Sequence, residues 1–117
     1  MFRVAIAAIL TAGPATAQQF EVVSDADVFQ AKVVGREIVN WTLGINLVVQ
    51  PDGTISGRAV TWPVTGTWSW QDGFFCREMD WSGMVIDYNC QLVEIRGDQI
   101  RFSVDRGAGD AADFRLR

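Results

Sequence analysis

From Arg36 to the end of the chain, hydrophobic and polar residues alternate with a period of two. Alternation of this kind is typical of antiparallel strands with one buried face. The clearest case is the segment 99–105, in which Ile100, Phe102 and Val104 alternate with polar residues. The pattern therefore predicts a meander of antiparallel strands.

Turn signals divide this meander into short strands. They are Pro51-Asp52-Gly53, Asp72-Gly73, Ser82-Gly83 and Gly97-Asp98. Such residues readily adopt the positive φ angles of tight hairpin turns. The spacing predicts about seven or eight strands, and a twisted sheet of that size tends to curl and remove its own edges. We predict a mainly β fold, an antiparallel meander forming a small barrel or half-barrel.

One short segment before the strands has a helical pattern. Ser24 to Asp27 resembles a capping arrangement, Val28, Phe29 and Val33 give an apolar side, and Gly35 suits a helix end. We predict a short N-terminal α-helix that begins at Ser24 and covers one open end or one gap of the barrel.

The first 17 residues have the pattern of a signal peptide. Arg3 precedes the apolar run from Val4 to Leu10, which is much shorter than the roughly 20 residues of a membrane span. Ala15-Thr16-Ala17 suits cleavage before Gln18, although an uncleaved anchor or a buried helix remains an alternative. We expect a single β-rich domain over 18–117, periplasmic or secreted, with no membrane span after cleavage.

Export changes how Cys76 and Cys90 are interpreted. In an oxidising compartment, two cysteines favour a disulfide, here closing a loop of about 15 residues. A redox pair or a pair of metal ligands is the alternative, but the spacing is not C-x-x-C and no further thiol is present. We predict a structural disulfide and no metal site.

The composition excludes several functions. The 117 residues include no histidine, so the commonest nucleophile pairs and imidazole metal sites are absent. The formal net charge of -4 argues against nucleic acid as a partner, because phosphate neutralisation needs clustered Lys and Arg. We therefore expect a protein that is not an enzyme and needs no cofactor.

The five tryptophans are many for a chain of this size. Trp68 and Trp70 share one strand face by the period of two, and either they fill a small core or they line a cavity in which Gly57 and Gly66 leave space for a ligand. Arg77 either binds an anion, stacks on a tryptophan or pairs with an acid such as Glu94 on the exposed surface. The candidate ligand-binding residues are Trp68, Trp70, Trp81 and Arg77.

Several segments carry a family resemblance. They are Gly66 to Arg77, Asn89-Cys90-Gln91, Ile100-Arg101-Phe102 and Gly107-Ala108-Gly109. They resemble a family of small exported alphaproteobacterial proteins, and the likeness covers nearly all of the chain after the signal peptide. Members often carry an automatically assigned label of dihydrodipicolinate reductase and otherwise have no established activity. The resemblance implies an exported, disulfide-bonded fold and no catalytic residues.

The sequence argues against a reductase. A nicotinamide site needs a G-x-G-x-x-G turn between a strand and a helix. Gly107 and Gly109 form only a G-x-G, without a helical pattern after them. The prediction is instead a non-catalytic binding role, with a small apolar ligand or a periplasmic protein as partner. An inhibitor of a lysozyme or protease, acting through a loop near 106–112, is the first alternative, and a reductase is the second.

Overall fold

The computed structural model describes Ala5 and residues 19–117, so the predicted signal peptide at 1–17 lies outside the described residues except for Ala5. The described residues form nine strands and one α-helix. In chain order these are β1 (Glu21–Val23), α1 (Ala26–Lys32), β2 (Glu37–Asn40), β3 (Ile45–Val49), β4 (Thr54–Ala59), β5 (Trp62–Gln71), β6 (Phe74–Trp81), β7 (Met84–Arg96), β8 (Gln99–Ser103) and β9 (Ala111–Leu116).

Strands β2 to β9 form a closed, eight-stranded antiparallel barrel. Each strand pairs with the next one along the chain, and Ile38 of β2 pairs with Leu116 of β9 to close the barrel. The predicted mainly β fold is confirmed, and the barrel is complete rather than half-open. Closure gives each of β2 to β9 a hydrogen-bonded neighbour on both sides, which limits the free sheet edge open to unwanted strand pairing.

The hairpins have the expected geometry. Leu47 of β3 lies opposite Gly57 of β4, and Val49 lies opposite Ile55, so the alternating residues share a face. Asp72 and Gly73 both have positive φ, at 52° and 85°, as a tight two-residue hairpin turn requires. The turns predicted from the sequence therefore do connect neighbouring strands.

Helix α1 begins two residues later than predicted. Its N-cap is Asp25, whose side chain accepts a hydrogen bond from the backbone N–H of Asp27 over 2.9 Å. Ser24 is therefore not the cap. The carboxylate of Asp25 satisfies a free N–H group at the helix start, where negative charge is also favourable.

Helix α1 closes one end of the barrel, which we call the helix end. The ring of Phe29 is fully buried, with its centroid 4.8 Å from that of Trp70, 5.3 Å from Phe75 and 5.5 Å from Trp68. The opposite end, which we call the hairpin end, carries the connections 41–44, 60–61, 82–83 and 104–110. Aromatic rings therefore fill the barrel interior at the helix end.

Strand β7 is long enough to pair with three neighbouring strands. Its first part pairs with β6, and its last part lies between β8 and the three-residue strand β1. The register with β6 shifts between Arg77 and Met79, which lie opposite Asn89 and Ile86, so β7 contains an extra residue there. This β-bulge interrupts the regular hydrogen bonding between the two strands and changes the direction in which nearby side chains point.

Candidate functional site

A cavity of about 280 Å³ lies inside the barrel. Its wall is mainly apolar and includes Ile38, Leu47, Val49, Ile55 and Phe114. The exposed residues Asp110, Ala111 and Ala112 also line it, and they place its opening beside the β8–β9 connection at the hairpin end. An apolar interior with few polar groups is the usual character of a small-molecule site.

Arg77 brings a positive charge to this cavity. It lies on the inner face of β6, between the cavity residues Phe75 and Met79. The guanidinium is half-buried and donates one hydrogen bond to the carbonyl oxygen of Asp87, over 2.8 Å. Burial lowers the pKa of Arg77, but the ordinary value is so high that the group stays protonated.

Arg77 does not form the predicted surface pair with Glu94. Glu94 lies farther along β7, opposite Val22 and Arg101, whereas Arg77 lies opposite Asn89. In the described part of the chain, no carboxylate forms a salt bridge with Arg77. The predicted pair does not form because Arg77 points inward, which separates its guanidinium from the acids on the outer surface.

Gln91 is a cavity residue that the sequence analysis missed. It lies opposite Phe75 on the inner face of β7 and is only 7% exposed. Its side-chain amide forms no hydrogen bond with any residue that the structure describes. The sequence contained a signal, because Gln91 occupies an inner position in the alternating series that continues with Val93 and Ile95.

Three of the predicted binding residues are tryptophans, and each of them contacts other residues of the fold. Trp68 and Trp70 surround Phe29 at the helix end, and the indole N–H of Trp68 donates to the carbonyl oxygen of Gln50 over 2.8 Å. The indole N–H of Trp81 donates to the carbonyl oxygen of Ala59 over 3.0 Å. Among the described residues that line the cavity there is no tryptophan. Of the four predicted binding residues, the structure thus brings Arg77 alone to the cavity wall.

Gly57 and Gly66 do not create space for a ligand. A β-carbon at Gly57 would collide with the carbonyl oxygen of Asn46, and one at Gly66 would collide with that of Glu78. Both collisions are with the backbone of a neighbouring strand, so these glycines allow strands to approach closely. The interpretation that they open a cavity is wrong.

The predicted disulfide is present between Cys76 and Cys90. The two cysteines lie directly opposite each other on β6 and β7, one position from Arg77 and Gln91 respectively. Because successive side chains point to opposite faces, the disulfide lies on the outer face while Arg77 and Gln91 point inward. The bond fixes the register of the two strands that carry the cavity's polar groups.

Exposed apolar side chains collect at the hairpin end. Trp41 and Trp62 are 67% and 61% exposed, and both lie beside connections at this end. The backbone N–H of Val60 donates to the carbonyl oxygen of Gly44 over 3.0 Å, which joins two of these connections. The cavity therefore opens at the end of the barrel that also carries exposed apolar surface.

Comparisons with protein-family models, with curated proteins and with solved structures give no match to this chain.

Within the described residues, no group of three or more Cys, Asp and Glu side chains is placed to hold a metal ion. No helix in that part of the chain is both long enough and apolar enough to cross a membrane.

Proposed function

We propose that this disulfide-bonded barrel is a non-catalytic binding protein that holds one small, mainly apolar molecule in its cavity. The cavity of about 280 Å³ with its apolar wall carries the proposal. Eight-stranded barrels have interiors just wide enough to be filled by side chains or to hold one small ligand. Here Phe29 and the surrounding aromatic rings fill the helix end, and space is left toward the hairpin end.

The cavity volume limits the size of the ligand. An apolar cavity of about 150 Å³ is sufficient for benzene, which has six heavy atoms. By proportion, the cavity of about 280 Å³ accommodates roughly ten to twelve heavy atoms. At about 0.6 kcal/mol per heavy atom, between the limits for very small and drug-sized ligands, a molecule of this size binds with a Kd of roughly 10 μM.

A periplasmic or secreted location is part of this proposal. The Cys76–Cys90 disulfide supports it, because structural disulfides persist in oxidising compartments. In such a compartment, a barrel with a micromolar site can carry or retain a poorly soluble small molecule without any chemical step.

The test is a ¹⁵N–¹H NMR titration with decan-1-ol, a neutral probe of eleven heavy atoms. We expect saturable 1:1 shifts at cavity residues such as Leu47, Gln91 and Ala112, and little change in α1. Ala112→Phe places a ring in the cavity opening and should weaken binding at least tenfold. Ala108→Phe is the matched control, since Ala108 is exposed on the β8–β9 connection and does not line the cavity.

Two results would contradict the proposal. One is a wild-type spectrum without saturable shifts up to the solubility limit of the alcohol. The other is equal weakening by Ala112→Phe and Ala108→Phe, which would indicate that the probe binds on the surface of the β8–β9 connection. Melting curves of both variants establish that each one is folded.

A further inference from the structure

Arg77 differs from the arginines that pair on the outer surface. Arg36, Arg101 and Arg117 each form a salt bridge, with Asp98, Asp113 and Glu37 respectively. Arg77 lies on the cavity wall and bonds only to the carbonyl oxygen of Asp87 among the described residues. A guanidinium has five N–H donors, so several remain available after that single bond. Because a half-buried charge without a counterion is costly, an anion in the cavity would stabilise this arrangement.

Gln91 supplies a second, independent polar group to the same part of the wall. Arg77 lies opposite Asn89, and Gln91 lies opposite Phe75, so Arg77 and Gln91 are diagonal neighbours on adjacent strands. Diagonal pairs on one sheet face have β-carbons roughly 7–8 Å apart, within reach of two long side chains. Gln91 is only 7% exposed as a residue and its amide has no described partner, and since no described side-chain N or O atom is fully buried without a partner, its N–H₂ group reaches the open cavity as a free donor.

The charge balance of the wall selects the kind of anion. Arg77 supplies one positive charge, and Asp110 at the opening supplies a negative one. A dianionic phosphate would need a second cation, and the described wall contains none. A carboxylate carries a single charge, and its two oxygens match the parallel N–H groups of a guanidinium. The remaining wall is apolar and suits a hydrocarbon body.

We propose that the cavity binds a monocarboxylic acid, with its carboxylate held by Arg77 and Gln91 and its hydrocarbon body against the apolar wall. This inference rests on the proposed function. The carboxylate uses three of the roughly ten to twelve heavy atoms that the cavity accommodates, which leaves about seven to nine carbons for the body. Octanoate and 3-phenylpropanoate are acids of this size.

Isothermal titration calorimetry of the full barrel with octanoate and with octan-1-ol tests the head group. We expect wild type to bind octanoate at least tenfold more tightly than the alcohol, because only the carboxylate is a charged acceptor whose two oxygens match the paired N–H groups of the guanidinium. Arg77→Met keeps most of the side-chain volume and should weaken octanoate about 10- to 100-fold, and octan-1-ol by a much smaller factor. Arg115→Met, on the exposed surface of β9, is the matched control and should leave both affinities unchanged.

Two further variants keep the test informative if Arg77→Met is poorly folded. Arg77→Lys retains the charge but lacks the paired N–H geometry, so it should weaken octanoate less than Arg77→Met does. Gln91→Leu should weaken octanoate roughly three- to tenfold, through the loss of one hydrogen bond, and octan-1-ol by a smaller factor. Far-ultraviolet circular dichroism and melting curves identify which variants are folded.

The outcomes separate this inference from the proposed function. One outcome is that octan-1-ol binds as tightly as octanoate, and that Arg77→Lys and Gln91→Leu leave octanoate binding unchanged. The proposed carboxylate site would then be refuted, but the proposed binding role of the cavity would still be supported. If octyl phosphate binds more tightly than octanoate, the assignment of a carboxylate as the head group of the ligand is refuted. If none of these probes binds to wild type, both the inference and the proposed function fail.

Discussion

Asn89 and Asp105 bond to each other twice at the hairpin end of the barrel. The side-chain amide of Asn89 donates to the carboxylate of Asp105 over 2.8 Å, and the backbone N–H of Asp105 donates to the side-chain oxygen of Asn89 over 3.0 Å. Asn89 belongs to β7, and Asp105 lies in the β8–β9 connection with a φ of 54°. Because this connection lines the cavity opening, the pair determines where one side of the opening lies.

Asn89→Ala removes both hydrogen bonds. We expect the free energy of unfolding to fall by about 1–3 kcal/mol, since each of the two hydrogen bonds contributes about 0.5–1.5 kcal/mol. We also expect faster hydrogen exchange of the backbone amides in 104–110. Urea unfolding and hydrogen-exchange mass spectrometry measure the two effects. Asn46→Ala is the control, because its amide donates to Glu37 instead. Equal exchange of the connection in both variants would show that Asn89 does not anchor it.

The Cys76–Cys90 disulfide joins residues 14 positions apart in the sequence. Replacing both cysteines by serine should lower the free energy of unfolding by about 3 kcal/mol, because the unfolded chain regains the entropy of an open loop. Urea unfolding of the double variant, beside oxidised and reduced wild type, measures this cost. Reduced wild type and the double variant should agree closely. A double variant as stable as the oxidised protein would mean that β6 and β7 need no cross-link.

The turn between β4 and β5 uses residues that are poorly suited to it. Val60 and Thr61 have φ values of 50° and 70°, in a region that β-branched residues rarely adopt. The double substitution Val60→Asn, Thr61→Gly supplies the residues that this turn prefers, and should stabilise the protein by about 1–2 kcal/mol. Calorimetric melting curves measure the change in stability.

A matched control for this turn lies between β5 and β6. Asp72-Gly73 already has a suitable sequence, so Asp72→Asn should change stability by less than about 0.5 kcal/mol. An unchanged or lower melting temperature in the Val60/Thr61 double variant, with Asp72→Asn neutral, would refute stored strain in the β4–β5 turn.

The alternation of apolar and polar residues predicted the barrel because local hairpins build nearly all of it. It could not predict β1, since Glu21–Val23 is too short to show a period and its partner segment 93–95 is distant in the sequence. Alternation alone could not give the start of β7 at Met84, because the bulge opposite Arg77 and Met79 breaks the period.

The candidate site was harder to predict than the fold. The period of two placed Trp68 and Trp70 on an inner face, but it could not show that Phe29, from a different element, fills the space between them. The run Phe74-Phe75-Cys76 has no clear alternation, so the face of Arg77 was ambiguous. The structure resolves that ambiguity, because Phe75, Arg77 and Met79 line the cavity and Cys76 therefore lies on the other face of the strand.

Arg101 and Asp113 form a two-bond pair on the outer surface, with N–O distances of 2.7 and 3.1 Å. The hydrogen bond from Arg101 lowers the pKa of Asp113 below its ordinary value. Stability from this pair is therefore fully present above the unfolded pKa of about 3.9 and is lost as the pH falls through the lower folded value. Because the Asp113 side chain is 53% exposed, we expect Asp113→Asn to cost only about 0.5–1 kcal/mol at pH 7, and less at pH 2. Urea unfolding at both pH values measures the difference. An equal cost at pH 7 and pH 2 would mean that the Asp113 charge does not stabilise the fold.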